Sequence, residues 1–338
     1  MIIHTKAYPR AGLVGNPSDG YFGKTISYTF SNFAAEVVLY ETPEIEIIPN
    51  IRDHSRFDSI QALSRDVRLN GYYGGIRLLK AAIKRFYDYC TDNGVVLGKR
   101  NFTIRYKTNI PEQVGLAGSS AIITACFRAL MSFYGVAIPK PMLANFILSV
   151  ENKELGIPAG LQDRVAQVYE GLVFMDFNKS LMDKQGYGRY EPLDPDLLPN
   201  LYVAYRTDLS EGTEVFHNNI RARWERGEPK VVEAMTYWAG LTDKVLRYLL
   251  KGEKKKIGSL IDANFNKRLD IYQIGEGNIR MVEAARSAGA SAHFTGSGGA
   301  ITGTYADERM FQRLEKALSD IGVKVIKPVI VKSSGDKP

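Results

Sequence analysis

A strand pattern that runs through a glycine-rich turn into an apolar helix constrains this chain more than any other feature. Residues 102–107 alternate strictly, with Phe102, Ile104 and Tyr106 on one face and Thr103, Arg105 and Lys107 on the other. That is a half-buried strand. A helical stripe of Ile122, Ile123, Cys126, Phe127 and Leu130 follows, ended by Gly135. Between them stands PEQVGLAGSS, residues 111–120, longer and barer than a plain connection needs. Gly115 and Gly118 allow backbone conformations and close approaches that side chains forbid. The run Gly115, Leu116, Ala117, Gly118, Ser119 and Ser120 therefore reads as an anion cradle, with unpaired N–H groups and the positive end of a helix dipole aimed at one ligand. Either serine caps the helix or reaches a phosphate or its metal ion. Taken alone, GSS is explained as well by a capped helix, and no lysine follows Gly118 as a Walker loop requires.

At 338 residues the chain exceeds one compact core, which points to two domains. Residues 1–48 read as antiparallel strands, 50–70 as a long polar connection, and the segment ending near Cys90 as a helix. Another helix starts at Pro141, a favourable first-turn position, and ends near Gly156. The proline-rich stretch 191–200 is the natural boundary. It divides the chain into 1–195 and 196–332, with a flexible tail at 333–338. Beyond the boundary come a strand at 201–206, helices between 213 and 289, a second glycine loop and a closing helix and strand. The class is α+β.

The net charge of +7 admits a nucleic-acid partner or a preference for small anions. Its one dense cluster, KGEKKK at 251–256, has no interleaved aromatics and reads as a solvated corner between helices. No apolar run reaches membrane-spanning length, and the opening residues carry no apolar leader segment. Cys90 and Cys126 both fall in helical patterns, as in a reducing compartment. The expectation is a cytoplasmic protein without nucleic-acid or membrane partners.

Two carboxylates sharpen the reading. Leu143, Ile147, Glu151 and Leu155 lie on one i, i+4 line, which puts an acid on an apolar stripe. A buried carboxylate needs a partner, either a lysine or arginine or a bound magnesium. Asp163 stands about one turn inside a helix that begins after Gly160. It complements the dipole there, and beside Arg164 it also suits an ionised base for a sugar or alcohol hydroxyl.

With these pieces placed, the sequence resembles the galactokinase–homoserine kinase–mevalonate kinase–phosphomevalonate kinase (GHMP) superfamily. Three ordered motifs carry the resemblance: PRAGLVGNPSDGYFG (9–23), PEQVGLAGSSA (111–121) and HFTGSGGA (293–300). The segments NGYYGGIRLL, KELGIPAGLQDRVAQVY and GLVFMDF narrow it to members that phosphorylate the anomeric hydroxyl of a uronic acid. The phosphate loop is one residue longer, and the third motif one shorter, than the usual family pattern.

The resemblance implies an N-terminal mixed βα domain and a C-terminal ferredoxin-like domain, with ATP and Mg2+ between a phosphate loop and a small sugar or uronic acid. It implies that Ser120 and Glu151 contact magnesium and that Asp163 is the catalytic base. Arg10 stands where sugar kinases of this family carry a cation beside the reacting hydroxyl, and Asp19 where sugar hydroxyls bind. Asn16, Thr295, Gly296, Ser297 and Gly298 complete the implied substrate site. Arg10 as a surface residue and Asp19 as a turn former remain alternatives at this level. A uronate carboxylate needs a cation, for which Arg164, Arg206, Arg77 and Lys24 are unranked candidates. A kinase for galactose, arabinose or a heptose, and a non-catalytic relative, are the rival readings.

Overall fold

The structure, a computed structural model, describes residues 1–50, 53, 74–207 and 220–332. Three four-stranded sheets organise it. The first has the order β1 (Ile2–Ala7), β4 (Ala35–Thr42), β6 (Asn101–Thr108), β5 (Glu46–Ile48), antiparallel except for the β5–β6 pair. In β6, Phe102, Ile104 and Tyr106 are buried and Arg105 and Lys107 exposed, as the alternation predicts. Thr103 departs from it: its hydroxyl is covered and lies 3.1 Å from that of Thr42. Helices α1 (Gly75–Asp92) and α2 (Gly118–Tyr134) pack together, and α2 buries its whole predicted stripe against this sheet.

The second sheet is antiparallel, in the order β2 (Arg10–Val14), β3 (Lys24–Thr29), β7 (Leu172–Asp176), β8 (Arg189–Leu193). Against it lies α4 (Leu161–Tyr169), on which α3 (Lys140–Ser149) packs, with the short α5 (Lys179–Gln185) after β7. The helix expected to run to Gly156 instead widens after Ser149 into a π turn, Val150–Glu154.

The third sheet is built from β9 (Leu201–Tyr205), β10 (His293–Phe294), β11 (Ala300–Thr304) and β12 (Lys324–Ile326), in the order β10-β11-β9-β12. Helices α6 (Pro229–Leu250), α7 (Ile257–Leu269) and α8 (Glu276–Ser287) separate β9 from β10, and α9 (Glu308–Ser319) separates β11 from β12. All pairings are antiparallel, which is the ferredoxin-like βαββαβ arrangement enlarged by extra helices. The closing strand is shorter than its apolar run suggests. After Ile326 the chain crosses to β3, where Ile330 bridges Phe30 and the Val331 N–H donates to Thr29 O (3.0 Å).

Strands of the first two sheets all precede residue 195, and those of the third all follow it. The two parts nevertheless share their larger core. Trp238, Leu241 and Val245 of α6 join Leu13, Ile26 and Tyr28 in one buried cluster, while Phe265, Met281, Phe294 and Leu314 form a smaller one behind the third sheet. The KGEKKK corner is solvated as expected, with Lys254 donating to the carbonyls of Asp196 and Leu198. The polar connection at 50–70 and the tail at 333–338 lie, apart from isolated positions, outside the described residues. No helix among the described residues is long and apolar enough to cross a membrane.

Gly15 is a tight point where the two halves meet. Its φ is +94°, its N–H donates to Asn264 Oδ1 (2.8 Å), and an added Cβ would sit 2.2 Å from both Lys24 O and Thr242 Oγ1. Gly15→Ala should therefore cost at least about 3 kcal/mol through strain and overpacking. Gly252→Ala also has positive φ, +70°, but meets nothing within 4 Å, so it should cost only about 1–2 kcal/mol. Urea midpoints at constant m-value check the difference; equal losses would contradict it.

Candidate active site

The phosphate-loop candidate leaves β6 and enters α2. Gly115 (φ +69°) and Ala117 (φ +61°) both take left-handed conformations, which turn the backbone into the first helical turn at Gly118. Leu116 is buried and its carbonyl accepts from the Arg10 N–H (3.2 Å). Gln167 of α4 holds the loop from below, donating to Ala117 O (2.8 Å) and Tyr8 O (3.1 Å). The Ser120 hydroxyl is buried and donates to Ala117 O (3.2 Å), while Ser119 stays partly exposed.

Arg10, at the start of β2, is 4% exposed and no surface residue. Nη2 donates to Asp163 Oδ1. Nη1 donates to Thr295 O and, more weakly, to Gly115 O (3.4 Å). One guanidinium thus ties together β2, α4 and both glycine loops. Asp163 lies in the first turn of α4, with its side chain 23% exposed, so the carboxylate is oriented by Arg10 yet reachable.

Asp19 lies in the 3₁₀ turn Ser18–Tyr21 and packs against the start of α4, where a Cβ on Gly160 would meet Oδ2 at 2.6 Å. It accepts the backbone N–H groups of Gln162 and Gly20. Asp19 therefore caps α4 from a distant part of the sequence. Burial foremost, and then the charge of Asp163, raise its pKa from 3.8 to about 6, against the opposing pull of Arg10 and the two N–H groups.

Glu151 finds the partner that its apolar stripe demands. Arg164 donates to Glu151 Oε2 through Nε (3.0 Å) and Nη2, and both side chains are buried. Nη1 of Arg164 donates to Gly160 O (2.9 Å) and lies 3.4 Å from Asp163 Oδ2. The π turn and α4 are locked together by this pair, beside the acid of the site. No group of three or more metal-ligating side chains occurs among the described residues. Magnesium bound mainly through substrate phosphates and water takes only one or two oxygens from a protein. Ser120 Oγ and Glu151 Oε1, which the Arg164 pair leaves aside, fit that demand.

The C-terminal glycine loop joins β10 to β11 and packs backbone to backbone on the phosphate loop. A Cβ on Gly296 would meet Gly115 O at 2.7 Å, and one on Gly115 would meet Gly298 O at 3.0 Å and Ser297 N at 3.1 Å. Thr295 Oγ1 donates to Gly115 O (3.2 Å), and Asn278 Oδ1 accepts from the Gly299 N–H (2.9 Å). Asn16 stands behind the loop, its Nδ2 donating to Phe294 O (3.2 Å) while Oδ1 is buried without a partner.

Of the four cations weighed for a ligand carboxylate, Arg164 is committed to Glu151 and Lys24 to Asp243 (2.9 Å). Arg206 donates to Ile321 O on the third-sheet side, and Arg77 is exposed on α1. Gln162, Gln167 and Arg268 were not legible in the sequence. Each sits in an amphipathic helix where a polar residue signals nothing, and only the fold turns it inward.

A mixed βα half, a ferredoxin-like half and two apposed glycine loops around an arginine-held aspartate define a two-lobed small-molecule kinase. Residues 77–171 match the family described as "GHMP kinases N terminal domain". The chain is 45% identical over 307 residues to "Probable glucuronokinase 2" of Arabidopsis thaliana, covering 89% of this chain and 83% of that protein. "Glucuronokinase 1" of the same plant is 44% identical over 305 residues, covering 88% and 84%. In structure, the mevalonate kinase of Methanococcus jannaschii superposes with a TM-score of 0.72 at 22% identity, covering 98% of both chains. The chain belongs to the GHMP kinases.

Asp19 yields a sign-specific prediction. An acid whose folded pKa is raised favours the folded state only while protonated, so its ionisation costs stability as pH rises from about 4 to about 6. Below that window both states hold the proton and the cost vanishes. Asp19→Asn should therefore stabilise the ligand-free protein at pH 7, by up to about 2–3 kcal/mol. Melting temperatures across pH 3.5–8 (about the span where carboxylates titrate) should converge with wild type at the acid end. A variant less stable than wild type at pH 7 would show that capping α4 outweighs the ionisation cost.

Proposed function

We propose that this chain is a glucuronokinase, transferring the terminal phosphoryl group of ATP to the anomeric hydroxyl of D-glucuronate to give D-glucuronate 1-phosphate and ADP. Asp163, held by Arg10 between the two glycine loops, is the observation that supports the chemistry. Likeness to the two Arabidopsis glucuronokinases, over nine-tenths of the chain, supports the substrate.

Phosphoryl transfer asks a protein for positioning and charge neutralisation rather than covalent chemistry. In this reading the N–H groups of residues 115–120 cradle the triphosphate at the start of α2. Asp163 orients the anomeric hydroxyl and takes its proton on Oδ2, the oxygen not engaged by Arg10 Nη2. Arg10 keeps that carboxylate in one orientation and offsets charge on the group in transfer. Asp19, Asn16 and residues 295–298 line the sugar side. Bound magnesium would neutralise phosphate charge, with Ser120 and Glu151 supplying the protein oxygens.

Two measurements test the reading. A coupled ADP-release assay should give kcat/KM for glucuronate at least about 10²-fold above glucose, since one unmatched charge-assisted contact costs several kcal/mol. Galactose outperforming glucuronate would replace the substrate while leaving the kinase family intact. Asp163→Asn keeps shape but removes the base, so kcat should fall about 10³-fold or more with ATP affinity unchanged. Near-normal turnover would make Asp163 a mere helix-end charge.

A further inference from the structure

Three arginines are buried among the described residues: Arg10, Arg164 and Arg268, each 4% exposed. Arg10 is matched by Asp163, and Arg164 by Glu151. Arg268, on α7, has no carboxylate in ion-pair reach among the described residues. Its one hydrogen bond to the described residues runs from Nη1 to Gly296 O (2.9 Å). The guanidinium is held over the rings of Tyr272 and Phe294, 5.1 and 5.2 Å from their centroids. Among the described residues Nε and Nη2 have no hydrogen-bond partner, and unlike Arg10 Nε neither is sealed from solvent.

A buried charge without a counter-ion costs several kcal/mol, which two aromatic faces only partly offset. Burial accordingly pulls the Arg268 pKa below its ordinary value. Asp19 acts on Arg268 electrostatically without touching it, so the cation lies toward the sugar-side acid of the site. The carbonyl it grips belongs to Gly296, whose other side meets the guanidinium of Arg10, with a Cβ there 3.1 Å from Nη1. Arg268 is thus a largely buried cation with no counter-ion among the described residues, attached to the C-terminal glycine loop.

We propose that Arg268 is the specificity-determining residue that pairs with the carboxylate of an acidic sugar. The inference rests on the uronate-kinase reading above and supplies the cation that the candidates from sequence did not. A planar guanidinium presents its free nitrogens as a fork to both carboxylate oxygens, which an ammonium cannot do.

The test compares D-glucuronate with D-glucuronamide, whose ring is the same and whose C6 group is uncharged. Wild type should favour the acid about 10²-fold in kcat/KM. Arg268→Gln should bring that ratio to within about threefold of unity, and Arg268→Lys should lower it at least about tenfold, because charge survives without the fork. A purely structural arginine would lower activity on both sugars alike and leave the ratio unmoved. An unchanged ratio in Arg268→Gln overturns the assignment, and if that variant does not fold, an unchanged ratio in Arg268→Lys does so. Loss of the assignment alone leaves wild type still preferring the acid. A wild type indifferent to the charge overturns both this inference and the uronate reading.

Discussion

Arg10 makes the contacts on which the site's other parts depend. From the first position of β2 it reaches Asp163 at the start of α4, Thr295 in the C-terminal loop and Gly115 in the phosphate loop. These four lie far apart in sequence and belong to both halves. Desolvating a guanidinium is costly, and the cost is met by a carboxylate and two carbonyls arranged around it. Such a pair adds little to stability over an apolar substitute of similar volume, but it specifies geometry. The base of the proposed mechanism needs that: one orientation, held without moving.

The two glycine loops are usually thought of as ligand-facing, and here much of their bareness serves each other. Gly115, Gly296 and Gly299 have no room for a Cβ because the opposing loop, or Val114 before it, occupies the space. Backbone contact of this kind couples the halves at the point where, in the proposed function, substrate and phosphate donor meet. The shared core below, with α6 on β3 and the chain end returning to Phe30, leaves little freedom for one half to move without the other.

Charge is distributed in the site by a simple rule. The carboxylates to which the proposed mechanism gives roles, Asp163 and Glu151, are each matched by a buried arginine. The charge of Asp19 acts on Arg268, but the two do not pair. One is a raised acid suited to accept or share protons with hydroxyls, the other an unmatched cation. Between them they describe a ligand that is polyhydroxylated and negatively charged, which is the chemistry of a uronic acid.

Local patterns determined a good deal by themselves. The alternation of β6, the stripe of α2 and the glycines at 115 and 118 are statements about neighbours in sequence, and period and backbone freedom suffice to read them. Strand and helix content and Asp163 as a residue of interest came from pattern and spacing, whereas Arg10 and Asp19 entered only through the family resemblance. The apolar line through Glu151 showed that a partner was required, but not that Arg164 would be that partner, since an acid on a stripe looks the same whichever cation meets it. Nor did anything local announce the π turn after Ser149, the capping of α4 by Asp19 or the burial of Arg268. These were decided only by tertiary packing, because each depends on two segments brought together from distant parts of the chain, and a charge is buried or solvated according to what folds over it.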